Sequence, residues 1–169
     1  MHTAAVLTAA ILTISDSSHQ GKREDLSGPA VVAELKAAGF HIARTAIVPD
    51  EQDQIQDMLK SCSQQARLVV TAGGTGIAVR DVTPEATLAV VDRLVPGIAE
   101  RMRARGSLKT PLAALSRGIS GVRGETLILN LPGSPKAAVE SLQAVLEILP
   151  HALELLSGNT GHGEDLVNG

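Results

Sequence analysis

Residues 67–87 read RLVVTAGGTGIAVRDVTPEAT, and the succession of residue types in that stretch decides the fold. The apolar run at 67–71 has the make-up of a buried strand. It ends at Gly73-Gly74-Thr75-Gly76, where three glycines let backbone amides approach an anion that a Cβ would obstruct. Thr83-Pro84-Glu85 then marks a helix start. Thr83 can cap the free amides, Pro84 brings its preset φ to the first turn, and Glu85 complements the helix dipole. Strand, glycine turn and helix in that order make one step of a β-α-β sheet.

The same step recurs on either side. Residues 6–14 and 41–48 are further strand-like runs, and the segments between them have helical periodicity. After Ser27, Val31, Val32 and Leu35 share one helical face, and Gly39 is placed to end that helix. Ile55, Met58, Leu59 and Cys62 follow at i, i+3, i+4 and i+7, which makes Cys62 a small core residue. Pro96-Gly97 precedes a short helix whose Arg101, Arg103 and Arg105 read as a solvated face. From Leu112 two extended stretches are expected, broken first at Gly118, Gly121 and Gly124, with residues 126–131 the clear strand of a late hairpin. A long last helix from Pro135 turns Val139, Leu142, Leu146 and Leu149 inward, and Pro150 kinks or restarts it. The expectation is one α/β domain over residues 1–157 with a flexible tail over 158–169.

The chain has 169 residues, 44% hydrophobic and 20% charged, which is ordinary for a globular fold. A formal net charge of −3 and a single aromatic residue, Phe40, leave neither a basic surface nor a row of rings for nucleic acid. A bound ring must therefore rest on aliphatic side chains and backbone. Cys62 is the one cysteine and cannot form an internal disulfide. Residues 1–14 are apolar, but no Lys or Arg precedes the apolar stretch and it is too short to cross a bilayer as a helix. They read as a buried strand, with no membrane partner and the cytoplasm as the expected location.

In an open α/β sheet ligands collect beyond the carboxyl ends of the strands. Ser15-Asp16-Ser17, Pro49-Asp50-Glu51, Gly73 to Gly76 and Pro132-Gly133-Ser134-Pro135 are the segments placed there. TAGGTG is neither a Walker loop, since no Lys-Ser/Thr pair follows, nor a dinucleotide fingerprint. Arg80-Asp81 nevertheless sets a guanidinium and a carboxylate beside a helix N-terminus, as a charged nucleotide with Mg²⁺ requires. Asp50 alone would be an N-cap. If the second and third strands are neighbours, Asp50 and Asp81 share one edge and can hold Mg²⁺ through oxygen ligands and water. The five histidines show no metal-ligand spacing.

In order, ILTISDS, DLSGP, VPDE, TAGGTG, RDVTPEAT, TPLAALSR and LNLPGSPKA resemble the molybdopterin adenylyltransferase family, the MogA/MoaB-like proteins of molybdenum cofactor biosynthesis. The resemblance covers residues 9–156; Ala72 departs from it, standing where Thr or Leu is more usual. It implies a three-layer α/β/α, Rossmann-like fold and a homotrimer. It also implies Mg²⁺-dependent transfer of the adenylyl group of ATP to the terminal phosphate of molybdopterin, and a molybdenum-insertion protein that receives the product. By position, Asp50 and Asp81 resemble the catalytic, metal-holding aspartates. Gly73, Gly74, Thr75, Gly76, Pro132, Gly133 and Ser134 resemble nucleotide-binding loops, and Ser116, Asp16, Ser27 and Gly28 resemble molybdopterin-handling positions. Arg80, Arg117 and Lys136 are the nearest cations for phosphates, and each could equally be a surface charge. The alternatives are a MoaB-like relative that binds molybdopterin without adenylylating it, a nucleotide-dependent assembly protein, and a plain oligomeric scaffold.

Overall fold

The computed structural model describes residues 6–159. Four parallel strands, β1 (Thr8–Ile14), β2 (His41–Val48), β3 (Leu68–Ala72) and β6 (Thr126–Leu131), form one sheet with two antiparallel ones, β4 (Arg93–Leu94) and β5 (Ser120–Arg123). The order is β2-β1-β3-β6-β5-β4. Every residue of β3 and β6 is buried, as expected of strands covered on both faces, whereas β2 lies at an edge and stays largely open.

Helices α2 (Ser27–Ala37), α5 (Pro96–Ser107), α6 (Pro135–Gln143) and α7 (Leu149–Leu156) cover one face. There Val31, Leu35, Met102, Leu142 and Leu153 pack on Ile11, Val70 and Leu129. Helices α3 (Gln52–Ser63) and α4 (Thr83–Val90) cover the other, with Ile55, Leu59 and Cys62 against Leu12, Val69 and Ile128. A four-residue helix, α1 (Asp16–His19), follows β1. This is a three-layer α/β/α sandwich.

Gly39 does end α2, with φ +90° just beyond the last turn. Other expectations change. The strands β2 and β3 are not neighbours, because β1 lies between them. Helix α5 is three turns long, not short, and only Arg105 of its arginines is a solvated charge. Arg101 donates to the Ala144 carbonyl (2.6 Å) and pairs with Glu147, while Arg103 donates to the Gly118 carbonyl (2.7 Å). Residues Pro111–Leu115 form a 3₁₀ turn rather than an extended stretch, since the Thr110 hydroxyl accepts from the Leu112 N–H and curls the chain. The last helix breaks at Gln143, before Pro150 is reached, while Pro150 does restart it, sitting in the first turn of α7 as expected. Most of the tail expected from residue 158 lies outside the described residues.

Helix α2 is bolted to β1 through Asp25. Its carboxylate accepts from the Thr13 hydroxyl (2.7 Å) and the Gly28 N–H (3.0 Å). Gly28 is buried beneath it, and a Cβ there would strike that carboxylate and come within 2.6 Å of the Thr13 hydroxyl. Gly28→Ala should therefore destabilise the fold by about 1–3 kcal/mol through overpacking. Urea denaturation should show a lower midpoint at unchanged slope.

Candidate active site

Since β1, β2, β3 and β6 run parallel, the segments following them leave the sheet at one edge. Strand β5 is antiparallel to β6, so the residues that precede it, Ser116 among them, arrive at the same edge. Two adjoining cavities open there, and Gly74, Asp81, Gly133 and Ser134 line both. The first, about 390 Å³, is polar and includes Thr13, Ser15, Arg23, Ser27 and Asp50. The second, about 520 Å³, sets Ala99, Met102, Leu112 and Leu115 opposite Ser116 and Asn130.

Asp50 and Asp16 hold each other reciprocally. The Asp16 N–H donates to Asp50 Oδ2 (2.9 Å), and the Asp50 N–H donates to Asp16 Oδ1 (3.0 Å). Asp50 is thus no helix cap; Glu51 occupies that position of α3 and makes no side-chain cap bond. Arg80 reaches across with Nε on Asp16 Oδ2 (2.7 Å) and Nη2 on both Asp16 Oδ1 (3.1 Å) and Glu51 Oε1 (2.8 Å). Its hydrogen bonds hold the Asp16 carboxyl below the usual carboxylate range. Asp50 moves the opposite way. Burial is the main cause, and the charges of Asp16 and Asp81 add to it, outweighing the Asp16 N–H and the more distant Arg80. Among the described residues no group donates to Asp50 Oδ1, so this oxygen remains available to a ligand.

The glycine loop packs as tightly as the sequence implies. Gly73 and Gly74 have φ of +110° and +65°. A Cβ on Gly73 would collide with the Ile14 carbonyl, and one on Gly74 with the Thr83 hydroxyl. Thr83 is not a cap: its N–H donates to the Gly74 carbonyl (3.1 Å) and its hydroxyl to the Gly73 carbonyl (2.9 Å), which glues the loop to the start of α4. Asp81 Oδ2 accepts from the Ala78 N–H (3.0 Å).

Two of the three cations offered by the sequence are already committed. Arg80 holds Asp16 and Glu51. Arg117 donates to the carbonyls of Gly76 (2.8 Å) and Asp81 (2.8 Å) and pairs with Glu85, and its own N–H donates to the Thr75 carbonyl (2.7 Å). Lys136 is exposed and forms no ion pair among the described residues. Arg23, which no motif singles out, lines the first cavity without such a pair. The four positions expected to handle molybdopterin also separate. Ser116 lines the second cavity and Ser27 the first, whereas Asp16 and Gly28 line neither.

Residues 10–151 match the family model described as "Probable molybdopterin binding domain". The chain belongs to this molybdopterin-binding family. A molybdopterin adenylyltransferase of Helicobacter pylori (strain J99) is 44% identical over 156 residues, which span 88% of this chain and 87% of the relative. The Drosophila melanogaster molybdenum cofactor synthesis protein cinnamon is 42% identical over 154 residues, 89% of this chain but 26% of its own length. Among solved structures, the molybdopterin biosynthesis enzyme MoaB of Thermus thermophilus superposes with a TM-score of 0.85 at 52% identity, covering 90% of this chain and 97% of that one. MogA superposes with 0.84 at 37% identity, covering 88% and 99%.

Within this molybdopterin-binding domain the described residues contain no group of three or more His, Cys, Asp or Glu side chains able to hold a metal ion. Asp50 and Asp81 do line one cavity, and Asp50 Oδ1 has no donor among the described residues. That donor set suits Mg²⁺, which is commonly held by one or two carboxylates together with substrate phosphates. No helix among the described residues is long and apolar enough to cross a membrane.

The raised Asp50 carboxyl carries a sign that can be tested. The folded state holds its proton more tightly than the unfolded chain, so stability falls as pH rises through the interval between the two pKa values. Asp50→Asn removes the charge but keeps an oxygen for the Asp16 N–H. In the absence of metal and nucleotide it should raise the denaturation midpoint at pH 7. That gain should fade as the pH falls toward the usual Asp value of about 3.9. Thermal melts of both proteins across pH check it.

Proposed function

We propose that this protein is a molybdopterin adenylyltransferase. The observation that carries the reading is the sharing of Gly74, Asp81, Gly133 and Ser134 by two adjoining cavities, with Asp50 on the wall of one and Ser116 on the wall of the other. Two substrates with phosphates can then meet at one point. A terminal oxygen of the molybdopterin phosphate attacks the α-phosphorus of ATP, the bond to the bridging oxygen breaks, and pyrophosphate leaves. Such a reaction needs positioning and charge neutralisation rather than a covalent nucleophile.

The chain's residues divide that work. Gly73 to Gly76 and Pro132 to Ser134 take the nucleotide. The Gly73 N–H is already given to the Leu131 carbonyl (3.1 Å), so the amides of Gly74 to Gly76, Gly133 and Ser134 and the N-terminus of α6 are those presented to its phosphates. Arg23 and Lys136 are the cations left free to join them. The apolar wall of the second cavity takes the pterin ring on Met102 and Leu115 in place of aromatic residues, with the Ser116 hydroxyl orienting it. Asp50 and Asp81 would hold Mg²⁺, which when bound polarises the phosphoryl group and neutralises developing charge. Ser27 serves the first cavity, while Asp16 and Gly28 act behind it through Asp50 and Asp25. We place this activity in a homotrimer of single domains spanning 1–157 in the cytoplasm, delivering its product to a molybdenum-insertion protein.

The alternative offered by the sequence is a MoaB-like binder without transferase activity, which the description of the 52% identical MoaB as a biosynthesis enzyme does not favour. Incubation with molybdopterin, ATP and Mg²⁺ separates the two. Mass spectrometry should find adenylylated molybdopterin with the wild type, and Asp81→Asn should lower turnover on the order of 100-fold or more, as loss of a group acting on transition-state charge does. Bound molybdopterin without product would favour the binder.

Ser116→Ala should cost about 1 kcal/mol of molybdopterin binding, the worth of one hydrogen bond. Isothermal titration would show it as a several-fold weaker Kd, and an unchanged affinity would remove Ser116 from the site.

A further inference from the structure

We propose that Arg80 is a positioning residue for Asp50, acting through Asp16, and not a ligand of substrate phosphate. The inference rests on the adenylyltransferase reading for its kinetic test and on the geometry alone for its structural one.

The guanidinium joins the ends of three strands. It lies in the segment after β3, grips Asp16 after β1 with two bonds (2.7 and 3.1 Å), and reaches Glu51 after β2 with a third (2.8 Å). Its Nε and one terminal nitrogen are thereby committed to protein carboxylates. Asp16 in turn has no oxygen to spare. Oδ2 accepts from Arg80, and Oδ1 accepts from both Arg80 and the Asp50 N–H.

What this chain of contacts fixes is the one oxygen left open. The Asp16 N–H holds Asp50 Oδ2, so Oδ1 is turned toward Gly74, 3.1 Å from where a Cβ on that glycine would stand. Asp16 and Asp50 are like charges in reciprocal contact, and without a cation on Asp16 their repulsion opposes the pairing. Arg80 supplies that cation.

Lysine cannot substitute. A single ammonium cannot make two parallel bonds to one carboxylate while reaching a second, as the planar fork does. The ion pairs are half exposed, 56% for Arg80 against 32% for Asp16 and 52% for Glu51, so they contribute little to global stability. Loss of Arg80 should accordingly appear in turnover rather than in melting temperature.

The experiment compares wild type, Arg80→Ala, Arg80→Lys, Asp16→Asn and the double variant Arg80→Ala/Asp16→Asn. Steady-state kinetics with ATP and molybdopterin is paired with melting curves and a crystal structure of Arg80→Ala. Arg80→Ala should lower kcat about ten- to a hundredfold, the usual cost of a small misplacement, while KM for ATP changes less than about threefold. Arg80→Lys should recover little of that loss. The double variant should be no slower than the worse single one, since both act through one contact. In the crystal, Asp50 should have left the Asp16 N–H.

A raised KM for ATP with kcat unchanged would make Arg80 a phosphate ligand and overturn the proposal. Additive losses in the double variant would overturn it too. If the wild type forms no product, the adenylyltransferase reading fails on its own, and the crystal structure still decides. An Asp50 side chain unmoved in Arg80→Ala would end the positioning role whatever the activity.

Discussion

The missing Cβ atoms at Gly73 and Gly74 are the constraint on which the ligand edge depends. Four strand ends converge there, and the backbone of this loop touches the Ile14 carbonyl on one side and the Thr83 hydroxyl on the other. Gly133 in the neighbouring loop closes in as well, since a Cβ on it would stand 3.3 Å from the Gly73 Cα. Any side chain at these positions would push the loops apart and separate the cavities that share them. The close approach also leaves backbone, rather than side chains, along this part of the cavity walls.

This loop is held from behind by a buried polar chain. Thr83 donates its hydroxyl proton to Gly73, and Thr87 donates to the Thr83 carbonyl (2.8 Å). Asn130 donates to both Thr87 (2.9 Å) and Thr71 (3.1 Å), while its own oxygen accepts from the Ile119 N–H (3.1 Å). The chain thus ties β3, β6 and α4 to one glycine. Among the described residues every buried side-chain nitrogen and oxygen has a partner, so the network has no unpaired member to weaken it.

Beside that network the site keeps one unfavourable feature. Asp50 is partly buried beside two other carboxylates, which pushes its pKa above the usual Asp value. Arginines offset charge around it without reaching its open oxygen. Arg80 satisfies Asp16, and Arg117 ties Asp81 and Gly76 by their carbonyls. The apolar layers on both faces of the sheet supply the stability that tolerates such a group.

The sequence by itself determined the strand runs, the glycine loop and the helix faces, because these depend on local periodicity and on φ angles that a few residue types allow. Residues 41–48 were legible to the residue as β2, and Ile55, Leu59 and Cys62 as a buried stripe. Asp50 and Asp81 were placed by the sequence at the edge where strand ends gather, and Ser116 was singled out only by the family resemblance; the structure sets them on the walls of the two adjoining cavities. What the sequence left open was which long side chain meets which partner. Thr83 had the makings of a cap and became a clamp on Gly73, and Arg103, which read as solvated, bonds the Gly118 carbonyl. Asp16 and Arg80, 64 residues apart, form one contact that no spacing rule anticipates. Only the tertiary structure decided these, since a flexible charged side chain finds its partner through the relative placement of loops, and that placement follows from the sheet order β2-β1-β3-β6-β5-β4.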